Sequence, residues 1–217
     1  MTRHWIPANW PAPDAVVAGT TLRDQPFDFP AEPFRLRQVH GVRAVTTDSD
    51  DFAEGPPEAD AVIARRPGDV CVVRSADCLP VLLCADDGTE VAAVHAGWRG
   101  LSGGVIEATL ARMATSGSRL LAWLGPAISQ AAFEVGDEVR DAFLAQDAEA
   151  GPAFVRNARG RWQADLYTLA QNRLARLGVE RISGGGLCTY ADSRRFFSYR
   201  RDGPTGRMES FVYIEKA

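Results

Sequence analysis

Two apolar runs, PVLLCA (Pro80–Ala85) and EVAAVH (Glu90–His95), are separated only by Asp86-Asp87-Gly88-Thr89. Asp-Gly between such runs is a strong hairpin signal, because glycine accepts the positive φ that a tight type I′ turn demands. A turn centred between Asp87 and Gly88 sets His95 opposite Pro80. Cys78 then lies diagonal to His95, about 7–8 Å away between backbone positions. The hairpin therefore predicts that a sulfur and an imidazole meet at one end of a sheet.

Further short, β-branched runs predict more strands: AVVAGTT, FRLRQV, RAVTT, ADAVIA, DVCVVRS, LLAWLG, RISGG, FFSYRR and SFVYIE. Helical periodicity is predicted three times: from Gly104 through Ile106, Leu110 and Met113; from Asp137 through Val139 and Phe143; and from Asp165 through Leu166, Leu169, Ala170, Leu174 and Leu177. Asp137 and Asp165 are the expected N-caps, Gly117 and Gly178 the expected stops. The fold class is α/β or α+β with more strand than helix. Proline-rich stretches near residues 7–13, 26–33 and 56–57 read as surface connections, so one domain over residues 1–217 is expected.

A formal charge of −4 argues against a broad nucleic-acid or membrane-surface footprint, while leaving room for a local basic pocket. The N-terminal residues contain no continuous apolar segment of signal or membrane-spanning type, which predicts a cytoplasmic protein. Four cysteines lie mostly in apolar, strand-like runs rather than in a loop-rich framework, so free thiols are expected. Cys71 and Cys84 read as packing, and His4 carries no functional expectation.

His40 ends FRLRQVHG as His95 ends its own run: each is a strand-end histidine close to a glycine, and the chain has only three histidines. With Cys78 they form a His/Cys/His set that matches a catalytic zinc site with a fourth position open. Their wide spacing is unlike a zinc finger. Zinc lowers the pKa of water to about 7 and so supplies a nucleophile. Asp77, beside Cys78, either orients a ligand and relays a proton or caps a turn. A second reading is a Cys78 nucleophile with a histidine base. A third is copper, since two His and one Cys also describe a blue-copper centre with a weak axial Met. None of Met1, Met113 and Met208 neighbours the ligands in sequence, and a multicopper laccase needs more imidazoles. Zinc is favoured.

The motifs LRQVHG, SADCLPVLLCADDGTEVAAVHAGWRGL, LAWLGPAIS followed by AFEVGDEVR, CTY and FFSYRRDGPTGRM, in order from about Phe34 to Tyr213, closely resemble the bacterial YfiH-type laccase-domain family. That family carries the labels polyphenol oxidase, purine nucleoside phosphorylase and peptidoglycan editing factor. The resemblance implies a single α/β domain with mixed sheets stacked between helices in α/β/β/α layers, and a zinc held by His40, Cys78 and His95. It implies phosphorolysis of adenosine, inosine, guanosine and methylthioadenosine, with deamination of adenosine at the same site. An amidase acting on a UDP-MurNAc-amino acid is the alternative activity it implies. The partners are then small molecules, with no nucleic acid and no membrane. Family members carry an N-terminal TTRxGGVS motif well before QVHG; here that segment is shortened, and Thr20, Thr21 and Arg23 are its remnant.

Phosphorolysis needs donors aimed at an anion. Arg99 in HAGWRG is the first candidate, followed by Arg200 and Arg201 in SYRRDG; the bland reading of each is a surface ion pair. Trp98 either stacks on a purine or fills core. Gly184–Gly186 could offer backbone N–H groups or simply an open strand approach. Cys188 and Tyr190 match the family pattern without an assigned role.

Overall fold

The computed structural model describes residues 4–216, so Met1 lies outside the described residues. An antiparallel four-stranded sheet has the order β1 (Trp5–Pro7), β2 (Val16–Thr21), β13 (Met208–Ile214), β5 (Cys71–Ser75). A mixed six-stranded sheet has the order β12 (Arg181–Gly184), β8 (Leu120–Leu124), β6 (Leu79–Ala85), β7 (Val91–Ala96), β4 (Ala61–Ala64), β3 (Ala44–Thr46). A small third sheet joins β10 (Phe154–Arg156), β11 (Trp162–Ala164) and β9 (Glu134–Val135).

The period-2 alternation of strands divides the core. From β6, Leu79, Val81 and Leu83 face a cluster shared with α1 (Trp98–Gly103), α2 (Val105–Leu110), α3 (Asp137–Leu144) and α4 (Leu166–Arg176). Leu82 and Cys84 point the other way, into a second cluster with Cys71, Val73, Val212 and Ile214 of the four-stranded sheet. The chain is thus a mixed α/β domain with stacked sheets. Phe211 and Tyr213 of β13 face outwards, where Trp5, Phe27 and Phe29 cover them, so a looped aromatic segment supplies that outer layer. Among the described residues no helix is long and apolar enough to cross a membrane.

Four sequence expectations change. FRLRQV is not a strand: Phe34 and Arg37 make isolated bridges, and the Gln38 amide serves both backbone groups of Arg74, donating to its carbonyl at 2.8 Å and accepting its N–H at 2.7 Å. A side chain there does the work of a strand neighbour. FFSYRR ends instead in a helical turn, α5 (Tyr199–Asp202), because Ser198 caps it by accepting the Arg201 N–H. Asp165 does cap α4, accepting from Tyr167 and Thr168, and Gly178 follows that helix at φ 82°. Asp137, however, is the first residue of α3, with Gly136 in the cap position. Gly117 lies in a separate single turn, well beyond the end of α2, where a side chain would strike the Leu177 carbonyl.

Candidate metal centre and cavity

The β6–β7 hairpin pairs Pro80 with His95, the register that its turn implies. Cys78 immediately precedes β6, on the same face. The β4–β7 register pairs Ala61 with Val94, which carries Asp60 alongside His95; the His95 N–H donates to the Asp60 carbonyl at 2.7 Å. His40 arrives from the loop after Gln38 with φ 58°, a left-handed conformation that is uncommon for a side chain of this size. Three backbone N–H groups of that loop donate to the Asp60 carboxylate: His40 at 3.0 Å, Gly41 at 2.7 Å and Val39 at 3.2 Å. Such bonds hold a conformation that costs about 1–3 kcal/mol.

The ligand atoms of His40, Cys78 and His95 all lie within 4.8 Å of one another. The His40 Nε2 to Cys78 Sγ distance is 3.8 Å, and the two imidazoles stand edge to face with centroids 4.9 Å apart. His95 is buried and its Nδ1 bonds Asp60 at 2.8 Å, which leaves Nε2 as its ligand nitrogen. One thiolate and two imidazoles, graded from buried His95 to exposed His40, form a donor set suited to a borderline-soft ion with one side open. Burial would push the Cys78 thiol up, but the neighbouring His40 and His95 outweigh it and bring the thiol down to about 6. Burial would likewise lower His95; its bonds to Asp60 and Cys78 raise it to about 9. Asp60, also penalised by burial, is held below its usual range by His95 and by the Gly41 and Val39 N–H groups.

Glycine spacing in HAGWRG explains the close approach of α1. A Cβ on Gly97 would stand 2.9 Å from His40 Cδ2 and 3.0 Å from Cys78 Sγ; one on Gly100 would meet the Gly41 carbonyl at 2.7 Å. Only hydrogen fits at either place.

His40, Cys78 and His95 open into a cavity of about 620 Å³. Five arginines line it, Arg37, Arg74, Arg99, Arg200 and Arg207, with Trp98, Phe133 and Tyr199. Asp77 is the sole acidic residue among its lining residues, and its carboxylate is taken: it accepts from Thr189 Oγ at 2.6 Å, Ser198 Oγ at 3.0 Å and the Arg200 N–H at 2.7 Å. Asp77 therefore anchors α5, and the carboxylate that bonds the His95 ring is that of Asp60. Arg99 lies over the Trp98 ring, 4.4 Å from its centroid, and its guanidinium has no hydrogen-bond or ion-pair partner among the described residues. Arg200 lines the cavity but also donates to the Glu134 carbonyl at 2.9 Å. Arg201 does not line it: the carbonyls of Thr189, Tyr190 and Phe196 and the Asp202 carboxylate occupy its guanidinium. Trp98 packs against the core and also lines the cavity.

Sequence reasoning missed Asp60, Arg37, Arg74 and Arg207. RSADC could have flagged Arg74 by its proximity to Cys78; nothing local links Asp60 to His95, since they meet only through β4–β7 pairing. Gly184–Gly186 all have positive φ and none lines this cavity. Cys71 and Cys84 are buried, their thiols pushed up by desolvation, Cys84 to about 12. The Cys188 sulfur accepts the Ser129 hydroxyl at 3.0 Å, and Tyr190 is exposed. His4 is exposed. Thr20 and Thr21 use their hydroxyls on Ser210 and the Glu209 N–H, and Arg23 lies over Phe197; none of the three faces the cavity.

A family model described as multi-copper polyphenol oxidoreductase laccase matches residues 12–215. The Escherichia coli (strain K12) protein named purine nucleoside phosphorylase YfiH is 51% identical over 187 residues, covering 86% of this chain and 76% of its own length. A Pseudomonas aeruginosa purine nucleoside phosphorylase is 44% identical over 242 aligned positions, covering 97% of this chain and 98% of its own. That alignment is longer than the 217 residues here, so the relative has segments this chain lacks. The crystal structure of a Neisseria meningitidis protein superposes with a TM-score of 0.91 at 39% identity, covering 99% of this chain and 100% of that one.

Proposed function

The chain belongs to the laccase-domain family, and from that premise we propose that it is a zinc-dependent purine nucleoside phosphorylase, acting on adenosine, inosine, guanosine and methylthioadenosine, that also deaminates adenosine. The observation that carries this reading is the convergence of His40, Cys78 and His95 at the base of an arginine-lined cavity. When bound by these three residues, zinc supplies Lewis-acid polarisation and lowers the pKa of water.

In phosphorolysis a phosphate oxygen bonds to C1′ of the ribose, the bond from C1′ to the purine nitrogen breaks, and its electron pair leaves with the base, which takes up a proton. Arg99 holds the incoming phosphate through charge-assisted hydrogen bonds, and Arg200 supports it from the facing helical turn. Trp98 and Phe133 give the purine its apolar wall. Cys78, with its neighbours His40 and His95, holds the metal rather than attacking substrate.

Copper fits less well. The Met208 sulfur accepts the Phe197 N–H at 3.1 Å and Met113 lies in the helical core, so neither is poised as an axial ligand. The third histidine, His4, is not part of the metal-ligating group, so the imidazole-rich set of a multicopper centre is not assembled.

The test is adenine or hypoxanthine release with phosphate, beside ammonia release from adenosine without it, on zinc-loaded protein. Both activities are expected. No nucleoside turnover, together with hydrolysis of a muramyl amino-acid amide, replaces this reading with the amidase one.

A further inference from the structure

We infer that Asp60 is the positioning residue of the metal centre, one carboxylate that sets both histidine ligands, His95 through its ring and His40 through its backbone. The inference rests on the proposed metal site. Asp60 is fully buried, yet each oxygen is in use. Oδ1 accepts both His95 Nδ1–H at 2.8 Å and the His40 N–H at 3.0 Å; Oδ2 accepts Gly41 and Val39.

The two roles differ. At His95 the bond keeps a proton on Nδ1 and fixes the ring plane, so Nε2, which faces Cys78, is the nitrogen left to bind a metal once it sheds its own proton. At His40 the carboxylate does not bond the ring; it gathers three consecutive N–H groups and so stabilises the left-handed turn from which the side chain reaches Cys78. An ordinary extended backbone at residue 40 would send that side chain elsewhere. The same loop carries Arg37 and Gln38 into the cavity wall, so Asp60 also ties the metal ligands to the wall beside them.

Asn is the informative replacement, because it keeps the shape but can accept through only one of its two polar atoms. In Asp60→Asn either the His95 ring or the Gly41 and Val39 N–H groups must lose an acceptor. Zinc affinity, read by competition with a chromogenic chelator, is expected to fall about 10–100-fold. Cobalt substituted for zinc should still show a thiolate charge-transfer band, since Cys78 is untouched. Excess zinc should restore turnover in Asp60→Asn and not in His95→Ala. Wild-type affinity in folded Asp60→Asn overturns the inference, as does loss of the thiolate band. Should that variant not fold, ¹⁵N histidine spectra of zinc-loaded wild type decide: a proton on His95 Nδ1 supports the inference, and one on Nε2 overturns it. Wild type that binds no zinc overturns the metal reading itself, and this inference with it.

Discussion

Cys78 lies between two imidazoles, and that placement makes its thiol acidic against the direction in which burial alone would push it. With a pKa near 6, it is a thiolate at neutral pH and becomes protonated as pH falls through that value. In metal-free protein, alkylation of Cys78 by iodoacetamide should stay fast from pH 8 to about 6.5 and decline below about 6, where an ordinary thiol of pKa about 8.5 has long become slow. Mass mapping should find Cys71 and Cys84 unmodified and zinc should block the reaction; a rate that drops between pH 9 and 8 would contradict the geometry. His95 is shifted the other way, up to about 9, and its ring too must shed a proton to bind metal. Zinc affinity should therefore rise with pH up to about 9 and flatten above it, measured by chelator competition across that range. Arg99 touches phosphate alone in the proposed reaction. Arg99→Ala should cut phosphorolysis about 10²–10³-fold, the scale of losing one oxyanion donor, while sparing adenosine deamination. Equal losses in both assays would move the phosphate role to Arg200 or to Arg74 and Arg207.

Helix α1 shows how one element can set a site without contributing a ligand. Its approach depends on Gly97 and Gly100, where added methyl groups would meet His40 and Cys78, or the Gly41 carbonyl. Gly97→Ala is expected to weaken zinc binding more than it lowers the melting temperature, because the crowding falls on ligand side chains. Gly100→Ala presses on backbone and should destabilise by about 1–3 kcal/mol, read in urea unfolding. The hairpin was legible because its register follows from a local turn, and so was the meeting of Cys78 and His95 at its end; α4 was legible because Asp165 and Gly178 mark its ends. What escaped was set by partners distant in sequence. FRLRQV has the alternation of a strand but meets β5 partly through the Gln38 side chain, and YRRD is helical because Ser198 and the remote Asp77 hold its first N–H groups. Arg201 stands beside Arg200 in sequence, but the carbonyls of Thr189, Tyr190 and Phe196 and the Asp202 carboxylate take its guanidinium, while Arg200 lines the cavity.

At the scale of the molecule, the six-stranded sheet serves two cores at once, so damage to either should be felt by both. Leu82→Ala empties space between the sheets and Leu83→Ala empties space beneath the helices; both residues are fully buried. Each should cost about 2–5 kcal/mol. Near- and far-ultraviolet circular dichroism should still follow one shared transition, whereas separated transitions would mean that the layers unfold independently. The five arginines around the cavity have a different reach. They place a positive mouth on a chain of net charge −4, so an anion is repelled by the bulk of the surface and drawn in at one point. Lowering ionic strength from 0.15 M to 0.01 M lengthens the screening distance from about 8 Å to about 30 Å, by which phosphate is guided from farther out while an uncharged nucleoside gains nothing. Encounter with the two substrates should then respond to salt unequally, and the order in which they arrive becomes a property of the medium as much as of the protein.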